Sequence, residues 1–283
     1  MKVGVVGAGL MGAEIALVFA LAGHDVLLND RDQESLDRAR ARLRTLLEKG
    51  VQRGFYAAED IELALGRIRP TLAQEDFRDL DMVTEAVFEA LEVKRAVLQS
   101  LAQNTRPDCI IATNTSTIPI STLAAELPER RRGRFLGTHY FSPVSRMQLV
   151  EVIPGFDTDD AVFEGVIKIM EQIGKTPIRV KDVAGFAVNR MLHMFIIEAV
   201  KLVEEGVATP EDLDTACKLG LGHPIGPFAL MDAVTSSLCV QAQEIMQEAY
   251  GERFRPPPLL KQRVRAGYSG GKGKSGWISR SSK

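Results

Sequence analysis

The chain opens on a five-residue apolar run that meets Gly7-Ala8-Gly9-Leu10-Met11-Gly12 and passes at once into a helical pattern over residues 11–22. Three glycines at this spacing, behind a strand and ahead of a helix, leave few alternatives. Gly7 permits a tight turn, Gly9 lets backbone approach a pyrophosphate, and Gly12 allows helix and strand to pack closely. The helix opens at Leu10 and Met11, where amides without intrahelical partners are donors for phosphate oxygens. The second strand-like run, DVLLND, ends at Asp30, 18 residues after Gly12. A carboxylate there accepts hydrogen bonds from both adenine-ribose hydroxyls and repels a 2′-phosphate, which favours NAD over NADP. Arg31 follows immediately and softens that preference, because a guanidinium accommodates phosphate.

The alternation continues to about Lys181. DMVTEAV, CIIATN, RFLGTHY, LVEVIP and TPIRV are apolar runs, and amphipathic stretches at 33–49, 90–103 and 159–172 lie among them. Continuous apolar strands separated by helices describe a parallel sheet covered on both faces. The expected fold class is therefore α/β, with a Rossmann-type doubly wound sheet over residues 1–182. Strand-like runs then nearly vanish. Gly185 to Glu205 reads as one long helix, with Phe186, Val188, Met191, Leu192, Phe195, Ile196, Ala199 and Leu202 on its apolar face. Further helices are expected after Thr209-Pro210-Glu211-Asp212, which combines a cap, a first-turn proline and early acids, and over Ser237 to Tyr250. Residues 183–283 thus read as a smaller all-α domain for substrate and dimerisation. From Arg253 onward there are nine basic residues and no acidic ones, and the Gly/Ser/Lys-rich end reads as partly mobile.

Lys plus Arg total 35 against 37 Asp plus Glu, a net charge of -2, so nothing electrostatic calls for nucleic acid or an anionic membrane as partner. No apolar run reaches the roughly 18 residues of a membrane span. The three cysteines, Cys109, Cys217 and Cys239, are far apart, with neither metal-type spacing nor a disulfide framework, and no metal is expected. They read as buried thiols of a reducing compartment, and the apolar start reads as fold rather than leader. The expected location is the cytoplasm.

Among four histidines, His139 stands apart because it closes the run RFLGTHY, while the next run, LVEVIP, carries Glu151. A strand end facing its neighbour can set the carboxylate against one imidazole nitrogen and leave the other to exchange a proton. Hydride transfer from a secondary alcohol to a nicotinamide needs such a base. Spacing alone favours the other reading, a hydrogen-bonded core histidine beside a solvated strand glutamate.

Taken in order, GAGLMG, EAVFEALEVK (85–94), NTST (114–117), GTHYFSP (137–143), MQLVEVI (147–153), GFAVNR (185–190) and GHPIGPFALMD (222–232) resemble the signature of the 3-hydroxyacyl-CoA dehydrogenases, over about residues 1–232. The resemblance implies NAD as cofactor, an acyl-CoA as substrate and a homodimer. It places the catalytic base on His139 and its paired glutamate on Glu151. It puts Ser116 and Asn189 on substrate oxygens near the reacting carbon, with Ser116 also beside the cofactor. Glu89 and Lys94 match positions around the nicotinamide-side ribose; read without the family, they are an exposed helical charge pair. Lys274 matches a lysine near the cofactor. Free-standing members often handle four-carbon acyl groups, so 3-hydroxybutyryl-CoA is the expected substrate, with a sugar-acid dehydrogenase and a catalytically idle NAD(H)-binding protein as the rival readings.

Two departures stand out. Ser142 replaces the usual asparagine of the histidine motif, and Ala233-Val234-Thr235-Ser236-Ser237 stands where the family has a glycine and an aspartate. For the coenzyme A phosphates, Arg38, Arg40, Arg42, Arg44, Lys49 and Arg53 are candidates, a solvated basic helix face being the alternative.

Overall fold

The computed structural model describes residues 1–278. The chain forms two compact units, Met1–Val183 and a second beginning at Ala184. In the first, the elements run β1 (Lys2–Val6), α1 (Leu10–Leu21), β2 (Asp25–Asn29), α2 (Gln33–Gln52), α3 (Ala58–Arg67), β3 (Ile68–Thr71), β4 (Met82–Glu85), α4 (Leu91–Asn104), β5 (Ile110–Thr113), α5 (Ile120–Ala124), α6 (Glu129–Arg132), β6 (Phe135–Tyr140), β7 (Leu149–Pro154), α7 (Asp160–Gln172) and β8 (Thr176–Arg179). One eight-stranded sheet results, in the order β3-β2-β1-β4-β5-β6-β7-β8. The winding reverses between β1 and β4, so the loops after these two strands open at the switch point where doubly wound sheets take ligands. Val3 and Val5 of β1 are fully buried, and α1 is enclosed from Gly12 to Ala20. That explains why α1 is apolar almost all round, Glu14 being its one charged residue.

The sheet differs from the expectation in three places. β3 goes unrecognised in the sequence because IRPT is short and carries Pro70, which the edge position tolerates. β7 runs antiparallel to β6. Residues 141–148 are too few for the crossover that parallel neighbours require. β2 stops at Asn29, one residue before Asp30.

The second unit contains α8 (Val188–Glu204), α9 (Pro210–Gly220), α10 (Pro227–Val234), α11 (Ser236–Tyr250) and α12 (Pro258–Arg265). α8 starts three residues later than the periodicity suggests, because Gly185 and Phe186 adopt φ 72° and 46°, which no right-handed helix accepts. Thr209 caps α9, its hydroxyl accepting from the Asp212 amide at 3.1 Å. The segment read as mobile is docked as far as Ile278. Trp277 is buried against Phe228 with ring centroids 4.9 Å apart, and its indole donates to Ser236 Oγ at 3.1 Å. Asp232 accepts from the backbone amides of Trp277 and Ile278 at 2.7 and 2.9 Å. The unusual stretch after Asp232 places Thr235 at φ 91°, a conformation that suits glycine and strains a β-branched residue.

All three cysteines are free and buried. Burial pushes the Cys109 thiol up to about 11 and that of Cys239 up to about 12, so neither is a nucleophile near neutrality. No helix among the described residues is long and apolar enough to cross a membrane.

Burial also acts on His193 of α8, pushing its imidazole down to about 4. A histidine that titrates lower when folded stabilises the fold above its ordinary value of 6.5 and loses that contribution as pH falls toward 4. Urea unfolding at pH 7 and pH 4 should therefore show a loss of about 3 kcal/mol in the parent protein that His193→Leu lacks. Equal losses in both proteins would remove His193 as the cause.

Candidate active site

The glycine loop joins β1 to α1 at the switch point. A Cβ on Gly7, which sits at φ 100°, would lie 2.6 Å from Ala86 O, and one on Gly12 would lie 1.8 Å from Gly7 O. At Gly9 a Cβ would meet nothing within 4 Å among the described residues. The first two glycines are thus demanded by packing, whereas Gly9 leaves open space above the backbone. No side chain among the described residues caps α1, so the amides at Leu10 and Met11 face that space as donors. Asp30 Oδ2 accepts from Ala8 N and Oδ1 from Arg31 N, both at 2.7 Å. Each oxygen retains a lone pair for a ribose hydroxyl. Uncapped amides, open backbone and a terminal carboxylate fit a dinucleotide.

His139 and Glu151 are direct partners across the β6–β7 ladder. Glu151 is fully buried and His139 nearly so, with Nδ1 2.7 Å from Glu151 Oε2. The pairing follows from the antiparallel turn-back, because directly opposed residues point to the same face. The Phe141 ring lies 4.6 Å from the imidazole, centroid to centroid, and walls one side of it.

Ser116, Glu89 and Lys94 come together in a charged cluster. Glu89 Oε1 accepts from Thr115 Oγ1 at 2.5 Å, from the Ser116 and Thr117 amides at 2.9 and 3.0 Å, and from Thr117 Oγ1 at 3.0 Å. Burial alone would raise the Glu89 carboxyl, but the Lys94 ammonium and the donors from Thr115, Ser116 and Thr117 outweigh it and hold it below the usual range. Lys94 is not the exposed helical charge its spacing suggests. It is buried, with its Nζ 2.8 and 3.1 Å from the two oxygens of Glu85 and 3.2 Å from Glu89 Oε2. Glu85, which the sequence does not single out, ends β4 fully buried and also accepts from Val87 N and Thr113 Oγ1 at 2.7 and 2.6 Å. Its one signal is an acid closing a short buried strand. Asn189 lies in the first turn of α8, and Lys274 in the C-terminal segment of the second unit.

A cavity of about 770 Å³ opens beside α2 in the first unit. Arg42, Lys49, Arg53 and Arg146 line it, with Glu14 and Tyr56. The other candidate cations are engaged elsewhere: Arg38 with Glu34, Arg44 with Glu62, and Arg40 with the carbonyl of Leu65. Arg146 is not foreseeable from the pattern of α2, because it lies outside that helix and reaches the wall through the loop after β6. Its guanidinium sits 4.8 Å above the Phe55 ring.

Residues 2–183 match the family model for the 3-hydroxyacyl-CoA dehydrogenase NAD binding domain, and residues 185–280 match that for the C-terminal domain. The chain belongs to the 3-hydroxyacyl-CoA dehydrogenase family. It is 41% identical to a probable 3-hydroxybutyryl-CoA dehydrogenase of Deinococcus radiodurans, over 98% of this chain and 99% of the relative. It is 37% identical to the 3-hydroxybutyryl-CoA dehydrogenase of Clostridioides difficile, over 98% of each. Among solved structures, that of (S)-3-hydroxybutyryl-CoA dehydrogenase from Ralstonia eutropha superposes with a TM-score of 0.92 at 36% identity, over 99% of each chain. FadB2 of Mycobacterium tuberculosis gives 0.94 at 36% identity over 98% of each. This 3-hydroxyacyl-CoA dehydrogenase family member is an NAD-dependent oxidoreductase, and its glycine loop lies within the matched NAD-binding domain.

Proposed function

We propose that the protein interconverts L-3-hydroxyacyl-CoA and 3-ketoacyl-CoA, acting on short chains such as 3-hydroxybutyryl-CoA. The observation that carries this reading is the buried His139–Glu151 pair, 2.7 Å apart. NAD, when bound, supplies the acceptor for the C3 hydride. Glu151 holds Nδ1 as the donor, so Nε2 is the nitrogen that takes the substrate hydroxyl proton, and the same carboxylate stabilises the imidazolium. Ser116 and Asn189 hydrogen-bond the C3 oxygen and the thioester carbonyl without competing for the proton.

Gly7, Gly9, Leu10, Met11 and Gly12 present backbone to the pyrophosphate, and Asp30 takes the adenine ribose. Glu89 and Ser116 stand at the nicotinamide side. Lys94, enclosed by two carboxylates, acts there through Glu89, and Lys274 completes the cofactor's surroundings. The cationic cavity suits the phosphates of coenzyme A, with Arg42, Lys49, Arg53 and Arg146 as donors. Met191, Leu219, Leu221 and Leu238 of the helical unit remain exposed, and a second copy covering them makes the homodimer of this reading. The cytoplasm is its location.

The test is to mix the protein with NADH and acetoacetyl-CoA and follow the loss of NADH absorbance. Turnover is expected. NADH binding without turnover would favour an idle binder instead, and turnover of a free sugar acid alone would point to the rival dehydrogenase.

A further inference from the structure

Arg42 touches two places at once. Its Nη2 donates to the carbonyl oxygens of Gly9 at 2.7 Å and Ala8 at 3.3 Å, the two residues at the centre of the dinucleotide loop. The same side chain lines the cationic cavity. Among the described residues its Nε is enclosed without a partner and Nη1 makes no hydrogen bond. Burial lowers the guanidinium's hold on its proton, and Glu14 works against that effect. Glu14 ties the same cavity to the loop from a second direction. It sits on α1, two residues after Gly12, and is 93% buried, its relative exposure being 7%. Its Oε2 accepts from the amide and hydroxyl of Ser145, both at 2.9 Å, while Oε1 has no protein partner among the described residues. The cavity wall is therefore attached to the cofactor loop on both sides.

We propose that Arg42 couples the two ligand sites, bracing the glycine loop through Nη2 while Nη1 receives a phosphate of the ligand in the cavity. The proposal rests on reading the cavity as the site of the coenzyme A phosphates. A guanidinium is a rigid plane with donors on separate edges. Fixing one edge on an anion orders the other against Gly9 and Ala8, so each ligand lowers the cost of binding the next. By linkage, NADH tightens coenzyme A by the same factor as coenzyme A tightens NADH.

Titration of NADH with and without saturating free coenzyme A tests this on the full chain. In the parent protein, coenzyme A is expected to tighten NADH on the order of fivefold. Arg42→Met should still bind both ligands, the second through Lys49, Arg53 and Arg146, with NADH affinity indifferent to coenzyme A. Arg42→Lys, which keeps the charge but has no second nitrogen to bridge with, should lose the coupling as well and guards against a misfolded first variant. Lys49→Gln should weaken coenzyme A and leave the fivefold factor intact. The coupling is overturned if Arg42→Lys responds like the parent, or if the parent binds both ligands with no mutual effect. A parent that binds NADH but no coenzyme A overturns the reading of the cavity, and the proposal with it.

Discussion

His139→Ala is expected to slow the reduction of acetoacetyl-CoA by NADH on the order of 10³-fold while leaving NADH binding unchanged. The split follows from where the imidazole sits. His139 lies one residue before the end of β6 and meets Glu151 across the ladder, whereas the dinucleotide loop is built from β1, α1 and Asp30. On the proposed reading, removing the ring deletes the proton acceptor without touching the groups that face the phosphates. Glu151→Gln sharpens the test. A carboxamide can turn its NH₂ toward Nδ1, which drives the proton onto Nε2 and leaves the imidazole in the tautomer that cannot accept from the substrate. Its loss should approach that of His139→Ala, since a correctly placed ring in the wrong tautomer is little better than none. Rapid-kinetic measurement of the hydride step with each variant decides the matter. A His139→Ala protein within a few-fold of the parent would sink the assignment, and Glu151→Gln at full rate would reduce Glu151 to packing.

Much of this arrangement is legible in the amino-acid sequence, and for physical reasons. The glycine loop follows from φ and steric demands that only glycine meets, as Gly7 and Gly12 show. His139 and Glu151 are readable as a pair because both lie on apolar strands joined by a short connection, although that same shortness also marks β7 as antiparallel. What escapes the sequence is contact between groups whose spacing carries no periodic signal. Glu85 and Lys94 are nine residues apart, one on a strand and one on a helix, and nothing local announces that they meet. Arg42 reads as one of several basic residues on α2, yet it alone among them reaches the glycine-loop carbonyls. The C-terminal segment misleads through composition. Its glycines and lysines suggest mobility, while the single tryptophan, Trp277, supplies the apolar anchor that pins it to the helical core.

The buried Glu85–Lys94 pair bears directly on stability. Both side chains are buried, and Lys94 also meets Glu89, whose other oxygen organises the backbone at Ser116 and Thr117. Lys94→Met keeps most of the side chain's volume but leaves Glu85 without its counter-ion, a change expected to cost about 3–5 kcal/mol. Denaturant unfolding should register that as a lower midpoint with unchanged slope. The cost lies in the stranded charge rather than in the absence of an attraction, so neutralising the other end should recover much of it. Glu85→Gln combined with Lys94→Met is therefore expected to be more stable than Lys94→Met alone, because a carboxamide oxygen still accepts from Val87 N while its NH₂ donates to the Thr113 hydroxyl, which can turn to accept. Additive losses in the double variant would show that the two residues act separately. The same pair of variants bears on catalysis. With Lys94 gone, Glu89 keeps its hydrogen bonds to the 115–117 loop but loses the cation that stabilises its charge, and the position of Ser116 loosens. Turnover measured well below the unfolding midpoint should fall in Lys94→Met, and full activity there would separate the buried pair from the placement of Ser116.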